Sequence, residues 1–262
     1  MKAILTWHSI DASGSVISTP PEVFAAQVDW LTSGRVRVVS LPNLVALPEQ
    51  DDAVALTFDD GFANFATHAA PRLFDRGLAA TLFVVTDRVG LTNDWVGYPE
   101  AGIPSLPLLG WSELGHLVEA GVDVGSHSRS HADLGILQGP RLTDEVAGSA
   151  ERIVAELGQR PRVFAYPYGT VSDAATHEVE RVFEWACLAD LRAVRSTDHR
   201  ARLPRIDMYY LRNLRTLDAW GSVTFQAYFA IRQALRGPRQ RLRTTLRRRR
   251  MARPPAGGKS PA

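Results

Sequence analysis

The chain has 262 residues, of which 30 are basic and 28 acidic, so its formal net charge is +2. A hydrophobic fraction of 45% and a charged fraction of 22% are typical of a globular protein and exclude a disordered chain. The single cysteine, Cys187, excludes an internal disulfide framework. No apolar run approaches the ~18 residues that a membrane span needs, and the N-terminal apolar stretch is too short for a signal peptide, so we expect a cytoplasmic protein.

The charges are distributed unevenly along the chain. Residues 1–231 carry 19 basic against 28 acidic residues, a net charge of −9, and the last acidic residue is Asp218. From Arg232 onward there are 11 basic residues and no acidic one. The near-neutral total therefore describes neither an acidic body nor a strongly basic tail.

Apolar runs and helical patterns alternate along the body. In chain order, the predicted strands are Ala3–Trp7, Arg35–Leu41, Ala53–Phe58, Ala80–Val85, Val122–Gly125, Val163–Tyr166 and Trp185–Leu188. The predicted helices run from Pro20 to Gly34, from Gly61 to about Arg76, over Trp111–Ala120, over Leu142–Leu157 with Thr143 as N-cap, over Ser172–Phe183 and over Trp220–Leu235. Residues 90–110 form a long loop. This alternation predicts an α/β fold with a mainly parallel sheet and helices outside it.

Two adjacent carboxylates, Asp59 and Asp60, end an apolar strand just before Gly61. Active sites of parallel α/β folds lie at the C-terminal edge of the strands, so both side chains can face one cleft. A solvated turn in which an Asp caps the next helix is the alternative at this point.

Two histidines, His127 and His131, follow another strand and are four residues apart. Imidazole suits zinc and similar divalent metals, although such pairs also occur in polar loops. Together with one carboxylate of the Asp59–Asp60 pair, they make a three-ligand site with open positions, which is typical of a catalytic metal. The remaining Asp is then available as a general base.

The third motif, Phe164-Ala165-Tyr166-Pro167-Tyr168-Gly169, places a rigid turn after a strand. Its backbone N–H groups can stabilise a developing oxyanion, and an ordinary strand-ending turn is the alternative.

In this order the three motifs, TFDDG, SHxxxH and FAYPYG, resemble those of the NodB-type polysaccharide deacetylases, the family 4 carbohydrate esterases, over roughly residues 1–210. The resemblance implies a distorted (β/α) barrel and a divalent metal, most often zinc, with cobalt or nickel as alternatives. It also implies Asp59 as catalytic base, Asp60, His127 and His131 as metal ligands, and the backbone N–H of Tyr168 as an oxyanion donor.

Two family features are missing from their usual places. The arginine of the third motif, which orients the base, is replaced near Ala165 and Tyr166, and the late Leu-x-His motif with the general acid is absent. A subgroup of the family begins instead with a strand ending in Tyr-His-x-Ile, which resembles Trp7-His8-Ser9-Ile10 here. We therefore predict His8 as the general acid, and we assign the base-orienting role to Arg205 from its residue type and position.

The expected reaction is removal of N-acetyl groups from an amino-sugar-containing glycan or glycan precursor, including a lipid-linked sugar. Trp95, Tyr98 and Tyr166 are candidates for substrate contact, with packing of the long loop as the alternative for the first two. Competing functions are O-deacetylation, another metal-assisted amide hydrolysis, and a sugar-binding module of the same fold with weak or no catalysis.

We predict a catalytic domain over residues 1–219 and a C-terminal helix with a basic, disordered tail over residues 220–262. The apolar helix before the arginines suggests contact with an anionic membrane surface, at the inner face for a cytoplasmic protein. Nucleic-acid binding is disfavoured, since the body is acidic and shows no known nucleic-acid-binding module.

Overall fold

A computed structural model describes residues 1–95 and 102–235 of the chain. Tyr98 and the arginine cluster at residues 247–250 lie outside these ranges. Within the described residues, no helix is long and apolar enough to cross a membrane.

The fold is built on a curled sheet of eight parallel strands. Within the described residues the strands are, in chain order, β1 (Lys2–Trp7), β2 (Ser9–Ile10), β3 (Ser18–Thr19), β4 (Arg37–Val38), β5 (Ala53–Phe58), β6 (Ala80–Val84), β7 (Asp123–Ser126), β8 (Val163–Ala165), β9 (Trp185–Cys187) and β10 (Ile206–Asp207). The order across the main sheet is β10-β1-β5-β6-β7-β8-β9, β4 pairs with the start of β5, and β2 pairs with β3 separately. This confirms the predicted barrel-type α/β fold.

Helices pack around the sheet. They are α1 (Pro21–Leu31), α2 (Leu41–Ala46), α3 (Ala70–Phe74), α4 (Trp111–Glu119), α5 (Gly139–Thr143), α6 (Ser149–Leu157), α7 (Asp173–Val182), α8 (Leu214–Asp218) and α9 (residues 223–235). Two π-helical segments, Phe65–Ala69 and Asp144–Gly148, lead into α3 and α6. Three 3₁₀ turns occupy Thr86–Arg88, Pro167–Gly169 and Met208–Leu211.

The central strands are buried on both faces, and alternate residues divide between two cores. On β1, Leu5 and Trp7 belong to the core under the helices, whereas Ile4 belongs to a core inside the curl of the sheet. Side chains two residues apart on a strand share a face, so Thr57 and the following Asp59 continue the inner face of β5. β1 and β5 pair residue for residue from Lys2–Ala53 to Trp7–Phe58, and their C-terminal ends therefore coincide.

Some predicted boundaries are wrong for identifiable reasons. The strand predicted over Arg35–Leu41 is reduced to β4, because the Ser40 side chain accepts a hydrogen bond from the Asn43 N–H and starts α2. Thr143 is not an N-cap; its backbone is helical, and α5 begins at Gly139 with Pro140 in the first turn. The predicted stop at Gly158 is confirmed by its left-handed φ of 69°.

Helix α9 begins at residue 223 and packs against the body through one side. Phe225 and Phe229 are buried in the main core, and the Trp220 ring lies 5.4 Å from that of Trp30. The segment that was expected to follow the catalytic domain thus starts as a packed part of the fold.

Candidate functional site

The candidate site lies at the C-terminal edge of the sheet, where β1 and β5 end side by side. Asp59 follows β5 directly, and its N–H donates to the Trp7 carbonyl at the end of β1 with a distance of 2.9 Å. His8 follows Trp7, and its Nε2 lies 3.7 Å from Asp59 Oδ2. The His8 side chain keeps 23% exposure, so it can meet both Asp59 and a molecule from solvent.

Arg205 forms a two-pronged salt bridge with Asp59. Nη1 and Nη2 donate to Oδ1 and Oδ2 at 2.6 and 2.7 Å, and both side chains are almost completely buried. Nη1 also contacts the Thr6 hydroxyl, and Nε donates to the Leu188 carbonyl at 3.0 Å, which fixes the guanidinium plane. Burial alone would raise the pKa of Asp59, but the charge of Arg205, helped by His127 and His8, holds it well below its usual range. Asp59 is therefore ionised at neutral pH.

Asp60 faces a different direction from Asp59, although the two are neighbours. Its φ of 73° turns the chain at the strand end, and the side chain meets both histidines of the second motif. Asp60 Oδ1 lies 3.5 Å from His127 Nε2 and 3.4 Å from His131 Nε2. Burial would raise the pKa of Asp60, but the close contact with the His131 ring and the nearby histidine charges lower it overall.

These three residues fit a divalent metal. One ligand atom from each lies within 4.8 Å of the others, and Asp60 Oδ1 is buried without a hydrogen-bond partner. His127 Nδ1 lies 2.7 Å from the Ala165 carbonyl, the contact that orients a ligating imidazole and leaves Nε2 for a metal. Burial lowers the pKa of His127 to about 4, so its ring is neutral at pH 7, as metal binding requires.

The third motif contacts the histidines from the side. Tyr168 sits in the turn Pro167–Gly169 with a φ of 61°, and its ring lies edge-on to His131 at 4.5 Å. The turn requires a glycine next to it, because a Cβ on Gly169 would lie 2.6 Å from the Cβ of Ala189. The geometry thus places the Tyr168 ring beside His131, one of the proposed metal ligands.

Left-handed backbone at non-glycine residues occurs in these three motif loops. Among the described residues, the non-glycine residues with positive φ are Asp60, Ser128, His131 and Tyr168. Such conformations cost about 1–3 kcal/mol each and typically persist at functional sites. The motif spacing contained no signal for this strain.

The three aromatic residues predicted to contact substrate differ in where they lie. Trp95 is partly exposed and stacks on His131 with ring centroids 4.3 Å apart, so it borders the site. Tyr98 lies outside the described residues. Tyr166 is only 1% exposed and packs on Phe164 in a core under the helices, which contradicts its predicted contact with substrate.

Asn64, which supports the segment that follows His8, was not identified as a site residue from the sequence. Asn64 accepts a hydrogen bond from the Ile10 N–H and donates to the Ser9 hydroxyl, at 3.1 and 2.6 Å. It thereby ties β2, which follows His8, to the loop that carries Asp59 and Asp60. An isolated Asn after a glycine turn gave no indication of this role.

Comparison of the sequence with known proteins identifies one family. The family model of polysaccharide deacetylases matches residues 46–182, more than half of the chain. YxkH of Bacillus subtilis (strain 168), a protein assigned to the polysaccharide deacetylases, is 24% identical over 183 residues, which are 68% of this chain and 60% of YxkH. The poly-β-1,6-N-acetyl-D-glucosamine N-deacetylase of Staphylococcus epidermidis is 23% identical over 203 residues, 72% of this chain and 67% of that enzyme. The chain thus spans less than two thirds of the length of YxkH.

Solved structures share the fold. The deacetylase PplD of Streptococcus pyogenes, solved in complex with acetate, superposes with a TM-score of 0.65 at 22% identity and covers 78% of this chain and 91% of PplD. IcaB of Ammonifex degensii gives a TM-score of 0.65 at 23% identity, over 80% of this chain and 94% of IcaB. His8 and Arg205 lie outside the residues that the family model matches. By its matched motifs and its fold, the chain belongs to the polysaccharide deacetylase family.

Proposed function

We propose that the protein is a metal-dependent hydrolase that removes N-acetyl groups from an amino-sugar-containing glycan or glycan precursor. The observation that carries the proposal is the convergence of Asp60, His127 and His131 beside Asp59, which Arg205 keeps ionised. A divalent cation, with zinc preferred over cobalt or nickel, would be held by these three ligands; when bound, it polarises the acetamide carbonyl and acidifies water.

Different residues around the metal ligands carry out the individual proton transfers. Asp59 accepts the proton of the attacking water, and Arg205 holds its carboxylate in place through two hydrogen bonds. The Tyr168 backbone N–H donates to the oxyanion as it develops. His8, whose Nε2 lies 3.7 Å from Asp59 Oδ2, protonates the departing amine. Acetate and a free amino sugar are the products.

The substrate proposal rests on the site's borders and on the relatives. Trp95 stands partly exposed next to His131, where an aromatic ring can stack on a sugar, and Tyr98 is proposed to do the same. Similarity to a poly-β-1,6-N-acetyl-D-glucosamine N-deacetylase supports an N-acetylated glycan, and a lipid-linked sugar presents the same group. O-deacetylation is the competing reaction, and a sugar-binding module without turnover is the competing class.

The test is an acetate-release screen with metal-loaded protein over N-acetylated glycans, lipid-linked precursors and O-acetylated analogues. Asp59→Asn should bind zinc like the parent protein but release acetate at least ~10²-fold more slowly, because the general base is lost. Asp75→Asn, which changes an exposed carboxylate, is the matched control. Unchanged acetate release by Asp59→Asn would exclude Asp59 as the base, and binding of glycans without release would favour the binding module.

We further propose that residues 220–262 follow a catalytic domain of residues 1–219, against which α9 packs, and that this C-terminal segment places the protein at an anionic membrane surface, as a cytoplasmic enzyme at the inner face. The outward side of α9 supports this, since Val223, Ile231 and Leu235 are 83%, 62% and 61% exposed while Phe225 and Phe229 are buried. The basic run from Arg232 complements anionic headgroups.

Vesicle flotation tests the membrane proposal with the full chain. Binding should require anionic lipid, weaken with salt, and fall at least several-fold in the double variant Ile231→Ser, Leu235→Ser. Val154→Ser, at an exposed apolar position on α6, is the matched control. If the double variant binds vesicles as well as the parent, the apolar face of α9 does not contribute and only the charge of the tail attracts the protein to the membrane. If the double variant instead loses self-association, a second copy of the chain is the occupant of this face.

A further inference from the structure

The loop between the two proposed histidine ligands needs external support. Residues 127–131 include Ser128 and His131, whose φ values are 65° and 62°. This left-handed backbone directs the His131 ring toward Asp60, and a relaxed loop would move Nε2 away from it. L-residues adopt the conformation at a cost, so other contacts must hold it.

Contacts within the loop and with the neighbouring residues Ser126, Thr86 and Asp87 satisfy only part of its backbone hydrogen bonding. The His131 N–H donates to the Ser128 hydroxyl at 3.1 Å, and the Ser128 N–H donates to the Ser126 hydroxyl at 3.2 Å. The carbonyls of Ser128 and Arg129 accept from the N–H groups of Thr86 and Asp87. The two central N–H groups, those of Arg129 and Ser130, point away from these partners.

Both central N–H groups converge on one carboxylate. Glu145 Oε2 accepts from the Arg129 and Ser130 N–H groups at 3.0 Å each, and Oε1 accepts from the Ser130 hydroxyl at 2.5 Å. Hydrogen bonds to an ionised acceptor are roughly twice as strong as neutral ones, so this contact is well suited to hold a strained loop. Glu145 belongs to a different element and fixes the loop from outside.

The helix that carries Glu145 is irregular at this position. Asp144–Gly148 is a π-helical segment between α5 and α6, and such insertions are frequent at functional sites. The neighbouring Asp144 binds the Arg129 side chain at 2.6 Å, while Glu145 binds the backbone. The π segment therefore presents two adjacent carboxylates to one loop.

We propose that Glu145 is a positioning residue that holds His131, through the loop backbone, in the geometry that binds the metal. Its hydrogen bonds go to Arg129 and Ser130, and it acts through them. The inference rests on the metal centre of the proposed function but not on the identity of the reaction.

The experiment measures metal affinity in the full chain. Metal-free protein is titrated with Zn²⁺ against a chromophoric chelator, for the parent, Glu145→Ala, Glu145→Gln and the control Glu151→Gln, which removes an exposed carboxylate from the same helical stretch. We expect affinity to fall about 10–100-fold in Glu145→Ala, as for other residues that orient metal ligands. Glu145→Gln keeps an acceptor oxygen and should recover part of that loss, and Glu151→Gln should bind like the parent.

Two further readouts separate positioning from general stability. Co²⁺ absorption should report altered ligand geometry in Glu145→Ala, and thermal unfolding of the metal-free protein shows whether the variant is folded at the temperature of the titration. Parent-like Zn²⁺ affinity in folded Glu145→Ala, or the same loss in Glu151→Gln, would overturn the inference, as would absence of metal binding by the parent. A parent protein that binds Zn²⁺ but releases no acetate would overturn the proposed reaction alone.

Discussion

Replacement of Arg205 by Met tests the electrostatic arrangement at the base most directly. The Met side chain fills similar space but leaves the Asp59 carboxylate buried without its arginine partner, with two hydrogen bonds of 2.6 and 2.7 Å removed. Breaking one side of a buried ion pair costs about 3–5 kcal/mol. For a domain of this size that corresponds to a fall in Tm of roughly 10 °C.

The loss of folding stability in Arg205→Met should depend on pH. In the parent protein the pKa of Asp59 lies below its value in the unfolded chain, so the pair stabilises the fold above about pH 4 and the contribution is lost only in stronger acid. In Arg205→Met burial is no longer opposed by the arginine, the pKa of Asp59 rises, and the folded state is penalised as pH increases. The stability difference between parent and variant should therefore grow between pH 4 and pH 7.

Chemical denaturation at several pH values and a pH–rate profile measure the two consequences. The acid limb of the profile should move to higher pH by at least about one unit, because each unit corresponds to ~1.4 kcal/mol. Arg205→Met with Asp59→Asn should regain stability but stay inactive, since the uncompensated charge and the base are both gone. An Arg205→Met variant with parental stability and an unmoved acid limb would refute the reasoning.

Three other outcomes follow from the same geometry. His8→Ala should slow hydrolysis of an acetamide more than that of an activated aryl acetate, because only the amine needs protonation to leave; an equal loss on both substrates would argue against an acid role. Dialysis against a chelator should abolish acetate release and added Zn²⁺ or Co²⁺ should restore it, so full activity after metal removal would contradict the proposed centre. Burial lowers the pKa of His127 to about 4, so unfolded chains take up a proton that the folded state does not. Metal-free protein should lose up to about 3 kcal/mol of stability between pH 7 and pH 4, and His127→Asn should lose correspondingly less.

The convergence of the proposed metal ligands could be predicted because it follows from the architecture. Asp60 follows β5 and His127 follows β7, and parallel strands present their C-terminal ends at one edge of the sheet. Motifs that are far apart in the sequence therefore lie close together at this edge of the sheet. The left-handed φ of His131 could not be predicted, because it depends on support from Glu145, which is 14 residues away in another element.

The error at Tyr166 has a simple cause. Alternate residues of β8 divide between the two cores: Val163 and Ala165 lie inside the curl, and Phe164 lies under the helices. Tyr166 continues the pattern of Phe164 and is therefore directed away from the cleft. Motif position suggested substrate contact, whereas the two-residue period of the strand predicts burial.

The two departures from the family pattern are explained by the place of β1 in the sheet. β1 lies between β5 and β10, so the end of β1 adjoins the end of β5, and a side chain from the residue just before β10 reaches the end of β5 past Thr6 of β1. His8 reaches Asp59 from the end of β1 and Arg205 from the position before β10, although the two residues are 197 positions apart in sequence. A site at the edge of a curled parallel sheet needs each side chain at a particular point in space. The position of that residue in the sequence can vary. Groups expected late in the sequence can therefore be supplied by a neighbouring strand, which is why the N-terminal histidine is the stronger candidate for the acid than His199, an exposed residue paired with Glu180.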